Sequence, residues 1–300
     1  MHINKTQGQW MNESVYRAMS WLKAILDGQG VRYQIVGGFA AHLHGGSRPI
    51  VDIDLYIEKE DVHALLPFFQ PFVSKPLKHY SEEGWDLEYL QLIYENQKIE
   101  IGLSPGTKIF NTSSQQLVSL DVDLAESVQR DFHGLALPVI NTNSLIEYKR
   151  VLNREVDRID IKELEDIQQA ENAQTLGHFS SLFDIARRKA KYDNTNTWYK
   201  GSETYFDALY QELEEVGEEI TQTRLCYLED ELGDVLWNYL NLLMALEKEQ
   251  GIDPTSVLSR AVNKYQQRVA TIENNGSWAD VKAEQKRKLQ QEYLGAMNEN

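Results

Sequence analysis

Two rhythms of apolar and polar residues divide the chain. Up to about residue 170, short alternating runs recur at Tyr33 to Val36, Val51 to Ile57 and Lys98 to Leu103. Alternation sends successive side chains to opposite faces of a strand, so these runs predict β-strands separated by short helical stretches. Beyond that point the spacing is almost only helical. In Tyr205 to Ile220, the residues Tyr205, Leu209, Leu213, Val216 and Ile220 follow at steps of four, four, three and four, which predicts one buried helical stripe. The next helix, Leu225 to Leu246, repeats this with Leu228, Leu232, Val235, Tyr239, Leu242 and Leu246. The pattern predicts an α+β module over 1–170 followed by an all-α module over 171–300. The polar stretch Gln168 to Thr175, QQAENAQT, is either their junction or the exposed end of a helix.

A length of 300 residues and a hydrophobic fraction of 42% suffice for two domains, each with its own core. Thirty Lys and Arg against 46 Asp and Glu leave a net charge of -16, a field that repels phosphate backbones and argues against general nucleic-acid binding. No apolar run approaches the roughly 18 residues a membrane span requires, and the first ten residues lack the basic flank and apolar core of a leader. The expectation is a soluble, unprocessed cytoplasmic chain. Its single cysteine, Cys226, has no disulfide partner and no metal-ligand spacing, and reads as core filler.

Within the helical part, Glu215 and Glu218 stand three apart on one helix and Glu231 and Asp234 three apart on the next. Residues three apart share a face, so each helix presents an acidic pair beside its apolar stripe. Carboxylates gathered on facing helices repel unless a cation or protonation relieves them, and Mg2+ or Mn2+ is the natural remedy. Glu212, Glu214 and Glu219 offer the same chemistry, so the ligand register is open by a few positions.

Glu215-Val216-Gly217-Glu218, twelve intervening residues, and Glu231-Leu232-Gly233-Asp234 together resemble the ExxE…ExxD motif of the MazG nucleoside triphosphate pyrophosphohydrolases. Trp198-Tyr199-Lys200 upstream and Asn263-Lys264-Tyr265-Gln266-Gln267-Arg268 downstream resemble further segments of that family, and the resemblance spans about Gly177 to Glu292. It implies an all-α helical bundle in which Glu215, Glu218, Glu231 and Asp234 hold Mg2+ while Lys264 and Arg268 neutralise a triphosphate. Asn241, on the Asp234 face, is a weaker candidate for substrate contact. The implied reaction cleaves a nucleoside triphosphate to monophosphate and pyrophosphate. The family also implies a homodimer or homotetramer, and Leu236, Leu240, Leu243 and Met244 are apolar surplus that is either shared between chains or a second core layer within one chain.

In the first part, Tyr33 to Ala41 runs from a β-like segment through Gly37-Gly38 into a helix former, a turn that lets backbone amides approach phosphate. In Val51 to Ile57, strand alternation puts Asp52 and Asp54 on one face and Ile53, Leu55 and Ile57 in the core. Adjacent like charges on a strand ask for a cation. Glu100, in the later strand Ile99-Glu100-Ile101, is a candidate third carboxylate. Gly37-Gly38 followed by Asp52-Ile53-Asp54-Leu55 resembles the nucleotidyltransferase superfamily. The similarity extends over about Gly30 to Ile167 and implies a mixed sheet with helices. It further implies that Asp52, Asp54 and Glu100 bind two Mg2+ ions, that Gly37 and Gly38 hold phosphates, and that Arg48 or Lys149 supplies cationic help. His42 and His44 point about 200° apart on a helix, which excludes a shared metal.

The leading expectation is a nucleoside triphosphate pyrophosphohydrolase fused to a nucleotidyltransferase-like domain. Its rivals are an adenylylating transferase with an accessory helical part, and a non-catalytic antitoxin or nucleotide sensor.

Overall fold

A computed structural model describes residues 5–120, 122–193 and 195–298, the side chains of 5–12, 296 and 298 excepted. The chain forms two compact units that divide between Ala173 and Gln174.

The first unit opens with helix α1 (Lys5–Gly28), strand β1 (Tyr33–Val36), helix α2 (Gly37–Leu43), strand β2 (Asp52–Glu58) and helix α3 (Val62–Phe69). A run of strands follows: β3 (Val73–Glu82), β4 (Trp85–Tyr94), β5 (Gln97–Ser104), β6 (Lys108–Asn111), β7 (Gln116–Ser119), β8 (Val128–Phe132) and β9 (Leu135–Val139). Helices α4 (Thr142–Leu152) and α5 (Glu155–Asp193) complete the sequence of elements. All strands join one mixed sheet, ordered β7-β6-β4-β5-β2-β1-β9-β8 with β3 on β4. Two pairs are parallel, β2 with β5 and β1 with β9. The mixed sheet with helices is the architecture expected of this half.

The core explains the assignment. Helix α1 sends Val15, Met19, Leu22 and Leu26 at steps of four, three and four onto β2 and β5, all fully buried. From the sheet, Ile53, Leu55 and Ile57 of β2 and Ile99 and Ile101 of β5 enter the same core. Their alternation partners, Asp52, Asp54, Lys98 and Glu100, must then share the opposite face. All four residues of β1 are buried, so this strand is covered on both faces.

The polar stretch 168–175 lies inside α5, which runs through it without a break. Its Gln, Ala and Glu residues favour helix, and the first glycine comes only at Gly177.

The second unit adds α6 (Ser202–Gln222), α7 (Leu225–Gln250), α8 (Pro254–Glu273) and α9 (Trp278–Asn298). Helices α6 and α7 form a tight hairpin whose turn places Thr223 in the left-handed region. Its core corrects the predicted stripes. Buried Leu240, Leu243, Met244 and Ala186 make its centre, with Phe179, Leu182, Phe183, Leu236, Trp237 and Val257 packed around them. Tyr205 and Val216 are buried as expected, but Leu213, Ile220 and Leu232 are more than half exposed and Tyr239 is also exposed. Of the two uses open to Leu236, Leu240, Leu243 and Met244, the structure takes the one within the chain, since they belong to the unit's own core, and much of the predicted stripe is its surface. A 26-residue helix has more than one apolar face, and periodicity does not say which face meets α5. Cys226 is likewise exposed, at the start of α7 beside exposed Leu225 and Tyr227.

Candidate functional sites

The first site is a cleft of about 410 Å³ on the polar face of β2 and β5. Parallel pairing sets Asp52 opposite Lys98 and Asp54 opposite Glu100, so alternation delivers all four side chains to one face. The three predicted carboxylates come together, with oxygens within 4.8 Å of one another. Burial, then the negative charges of Asp52 and Glu100, push the Asp54 carboxyl well above its usual range. Gln91 Nε2 donates to Glu100 Oε1 at 2.9 Å.

Both predicted glycines line this cleft. Gly37 has φ +69°, and a Cβ there would sit 2.1 Å from Asp54 Oδ2, so the turn and its approach to the aspartate require glycine. Gly102 meets the same kind of demand, since a Cβ would lie 2.5 Å from the Tyr56 ring. Arg48 stands beside Gly38 and forms a bidentate pair with Asp160, Nε to Oδ1 at 2.5 Å and Nη2 to Oδ2 at 3.1 Å. Lys149, the alternative cation, is almost fully buried and held by Asp160 at 2.8 Å and Asp157 at 3.4 Å. Its charge is committed to packing α4 on α5.

Sequence reasoning passed over several residues of this cleft. Lys98 carried a legible signal, sharing the strand parity of Glu100. Arg154 also lines the cleft, anchored by two side-chain hydrogen bonds to Asp157 at 2.7 and 3.1 Å. Burial alone would raise Asp157, but the Arg154 contacts and the Lys149 charge bring it below its ordinary value. Tyr56, Trp85, Tyr89 and Tyr148 give the cleft an aromatic wall, assembled from β2, β4 and α4, which no local pattern announces. His44 is a satisfied core residue: its Nε2 pairs with the Ile140 carbonyl at 2.7 Å and its Nδ1 with the Thr142 hydroxyl at 3.1 Å.

The second site lies on the α6–α7 hairpin. Oxygens of Glu212, Glu215 and Glu231 fall within 4.8 Å of one another. Desolvation, then the neighbouring carboxylates, Asp234 among them, raise both Glu212 and Glu231 above the usual glutamate value. The structure therefore gathers Glu215 and Glu231, with Asp234 in their field. Glu218 stands outside the trio and Glu212 is in it, held at 3.1 Å by Asn238 Nδ2. Glu219 is buried and engaged by Arg224 at the hairpin turn. The turn sets which residues of two antiparallel helices face each other, and motif spacing does not encode it.

Lys264 and Arg268 lie one turn apart on α8. The Lys264 ammonium sits 4.9 Å from the Tyr265 ring centre, and Arg268 donates to Gln285 at 2.9 Å while its guanidinium lies 5.2 Å from the Trp278 ring. Neither is held by a carboxylate among the described residues. Asn241 is almost fully buried and donates to the Trp237 carbonyl at 2.8 Å, while its own Oδ1 is without a partner.

Among solved structures, the chain is similar to a candidate nucleotidyltransferase from Thermotoga maritima at 21% identity and TM-score 0.37, over 56% of this chain and 92% of that one. It is also similar to the lincosamide antibiotic adenylyltransferase LnuA at 15% identity and TM-score 0.36, over 50% and 96%. No curated protein matches the chain significantly. Residues 200–272 match the model of the MazG nucleotide pyrophosphohydrolase domain, a segment that contains the helical trio, Asp234, Lys264 and Arg268. The helical unit therefore carries a MazG domain.

Proposed function

We propose that this chain hydrolyses nucleoside triphosphates to monophosphate and pyrophosphate in its helical unit, as a homodimer or homotetramer in the cytoplasm. One observation carries the reading: the acidic trio of the hairpin falls inside the matched MazG segment.

Three carboxylates whose oxygens converge are the donor set of a hard divalent cation, Mg2+ or Mn2+. Glu215, Glu231 and Asp234 would hold it, with Glu212 or Glu218 as the fourth carboxylate, and the trio favours Glu212. Such an ion supplies Lewis-acid polarisation of phosphoryl oxygens and a lowered pKa for bound water. The chain's own groups do the rest. Lys264 and Arg268, unclaimed by any described carboxylate, are suited to neutralise the triphosphate. A carboxylate of the cluster accepts the proton of the attacking water as the α–β anhydride bond breaks and pyrophosphate leaves. Asn241, enclosed as it is, would reach substrate only if the hairpin opened. Exposed Leu213, Ile220, Leu232 and Tyr239 form the kind of apolar surface that association covers, which supports an oligomer built on α6 and α7.

A second reading is favoured by the first cleft. Asp52, Asp54 and Glu100 beside Gly37, Gly38 and Arg48 suit transfer of a nucleoside monophosphate to an acceptor hydroxyl, with pyrophosphate leaving.

The test incubates the chain with each common nucleoside triphosphate and Mg2+ and resolves the products, beside the Glu231→Gln and Asp54→Asn variants. Monophosphate and pyrophosphate, lost in Glu231→Gln alone, uphold the hydrolase. Turnover lost only in Asp54→Asn moves the function to the first cleft. Nucleotide binding without turnover would leave a sensor or antitoxin.

A further inference from the structure

We propose that Lys98 takes the place of one of the two cations expected among Asp52, Asp54 and Glu100, so that the first cleft holds a single divalent ion. This rests on reading that cleft as a metal-dependent nucleotidyl-transfer site.

The position of Lys98 follows from the register that builds the trio. It faces Asp52 across the parallel pairing and lies two residues before Glu100 on the same strand face. Its Nζ bridges the two acids, 2.8 Å from Asp52 Oδ2 and 3.2 Å from Glu100 Oε2. That is where a cation shared by these two carboxylates would sit.

Both oxygens of Glu100 are now engaged, Oε1 by Gln91 and Oε2 by Lys98. Glu100 is then the anchor of the lysine rather than a ligand, and Asp52 Oδ1 and the Asp54 carboxylate remain for an ion. Charge points the same way. Three carboxylates and one ammonium sum to the charge that one divalent ion balances, whereas two ions would crowd Lys98 with repulsion. The other cations around the cleft are claimed elsewhere: Arg48 by Asp160, Lys149 by Asp157 and Asp160, Arg154 by Asp157, and Lys75 by Glu82. Lysine suits this place because its ammonium is a compact point charge with three donors.

The experiment titrates the full chain with Mn2+ and follows the free ion by electron paramagnetic resonance. Glu215→Gln and Glu231→Gln are present throughout to silence the hairpin, and the first-cleft ions are those lost on adding Asp54→Asn. One such ion is expected with Lys98 in place. Lys98→Met is expected to take up a second ion or to bind at least tenfold more tightly, and Lys98→Arg, which keeps the charge, to stay at one. Two ions with Lys98 present would overturn the proposal without recourse to any lysine variant. Unchanged number and affinity in a folded Lys98→Met chain would overturn it too, while leaving the transfer site standing. Absence of any Asp54-dependent ion in both chains would instead defeat the metal-dependent reading itself.

Discussion

The two carboxylate clusters look alike as lists of residues and differ in how the chain builds them. Asp52, Asp54 and Glu100 stand on paired strands, in a cleft where a lysine already offsets part of their charge. Glu212, Glu215 and Glu231 stand on two helices, more open to solvent, with an asparagine as their described partner and no cation among them. Hydrogen-bonded strands leave little freedom in which residues face each other, and the strand cluster is accordingly preorganised. The helical cluster depends on the crossing and turn of a hairpin, and water screens its repulsion. A divalent ion would therefore join a lysine as counter-charge in the first site and be the main counter-charge in the second.

The largest expected effect separates the two by activity. Glu231→Gln should lower triphosphate hydrolysis by roughly 100- to 1,000-fold, the range seen when one preorganised electrostatic group is removed. Asp54→Asn should leave hydrolysis unchanged, as product chromatography would show. Next in size is the hold of Asn238 on Glu212. Asn238→Ala should weaken Mn2+ binding at the hairpin about 10- to 100-fold, as loss of a partner behind a metal ligand does, measured by isothermal titration. In the same assay Glu212→Gln should cost more than Glu218→Gln, and the reverse order would restore the motif's own register.

The strand site should instead be sensitive to packing. Gly102→Ala drives a methyl group into the Tyr56 ring and should destabilise the first unit by about 1–3 kcal/mol, read from urea unfolding followed by near-ultraviolet signals of that unit. A neutral result would mean that the Tyr56 ring yields. The smallest effect concerns pH. Glu212 and Glu231 are raised above the ordinary glutamate value in the folded chain, so above that value the folded state binds more protons than the unfolded one. Without metal, stability should be fullest below about pH 4.5 as far as these two groups contribute, and be lost as pH rises through their folded values. Melting temperatures across that window should fall less in Glu231→Gln than in the parent, and saturating Mg2+ should remove most of the difference.

Much of this was legible from period and spacing. Period two alone assigned Asp52 and Asp54 to one face and Ile53, Leu55 and Ile57 to the core, because a strand has only two faces. It also places Lys98 on the face of Glu100, but that this face meets Asp52 follows from the β2–β5 pairing, which parity does not encode. Helical spacing was less decisive. It found α6 and α7 and their acidic pairs, yet it named Leu213, Ile220 and Leu232 as core when Leu240, Leu243 and Met244 fill that role. Those residues lie on another face of α7, and the choice belongs to Phe179, Leu182, Phe183 and Ala186 on α5, far away in the chain.

By itself, then, the sequence determined the mixed strand-and-helix character of the first part, the helical character of the second, the glycine turn before α2, and the acidic motifs with the MazG resemblance they carry. These are local properties, set by backbone preference and by periods of two and 3.6 residues. Only the tertiary structure decided that Glu212 rather than Glu218 meets Glu215 and Glu231, that Lys98 bridges Asp52 and Glu100, that Lys149 serves α5, and that Cys226 is exposed. Each of those depends on a register, a turn or a packed face contributed by residues distant in the chain, and side-chain contacts across such distances leave no trace in local spacing.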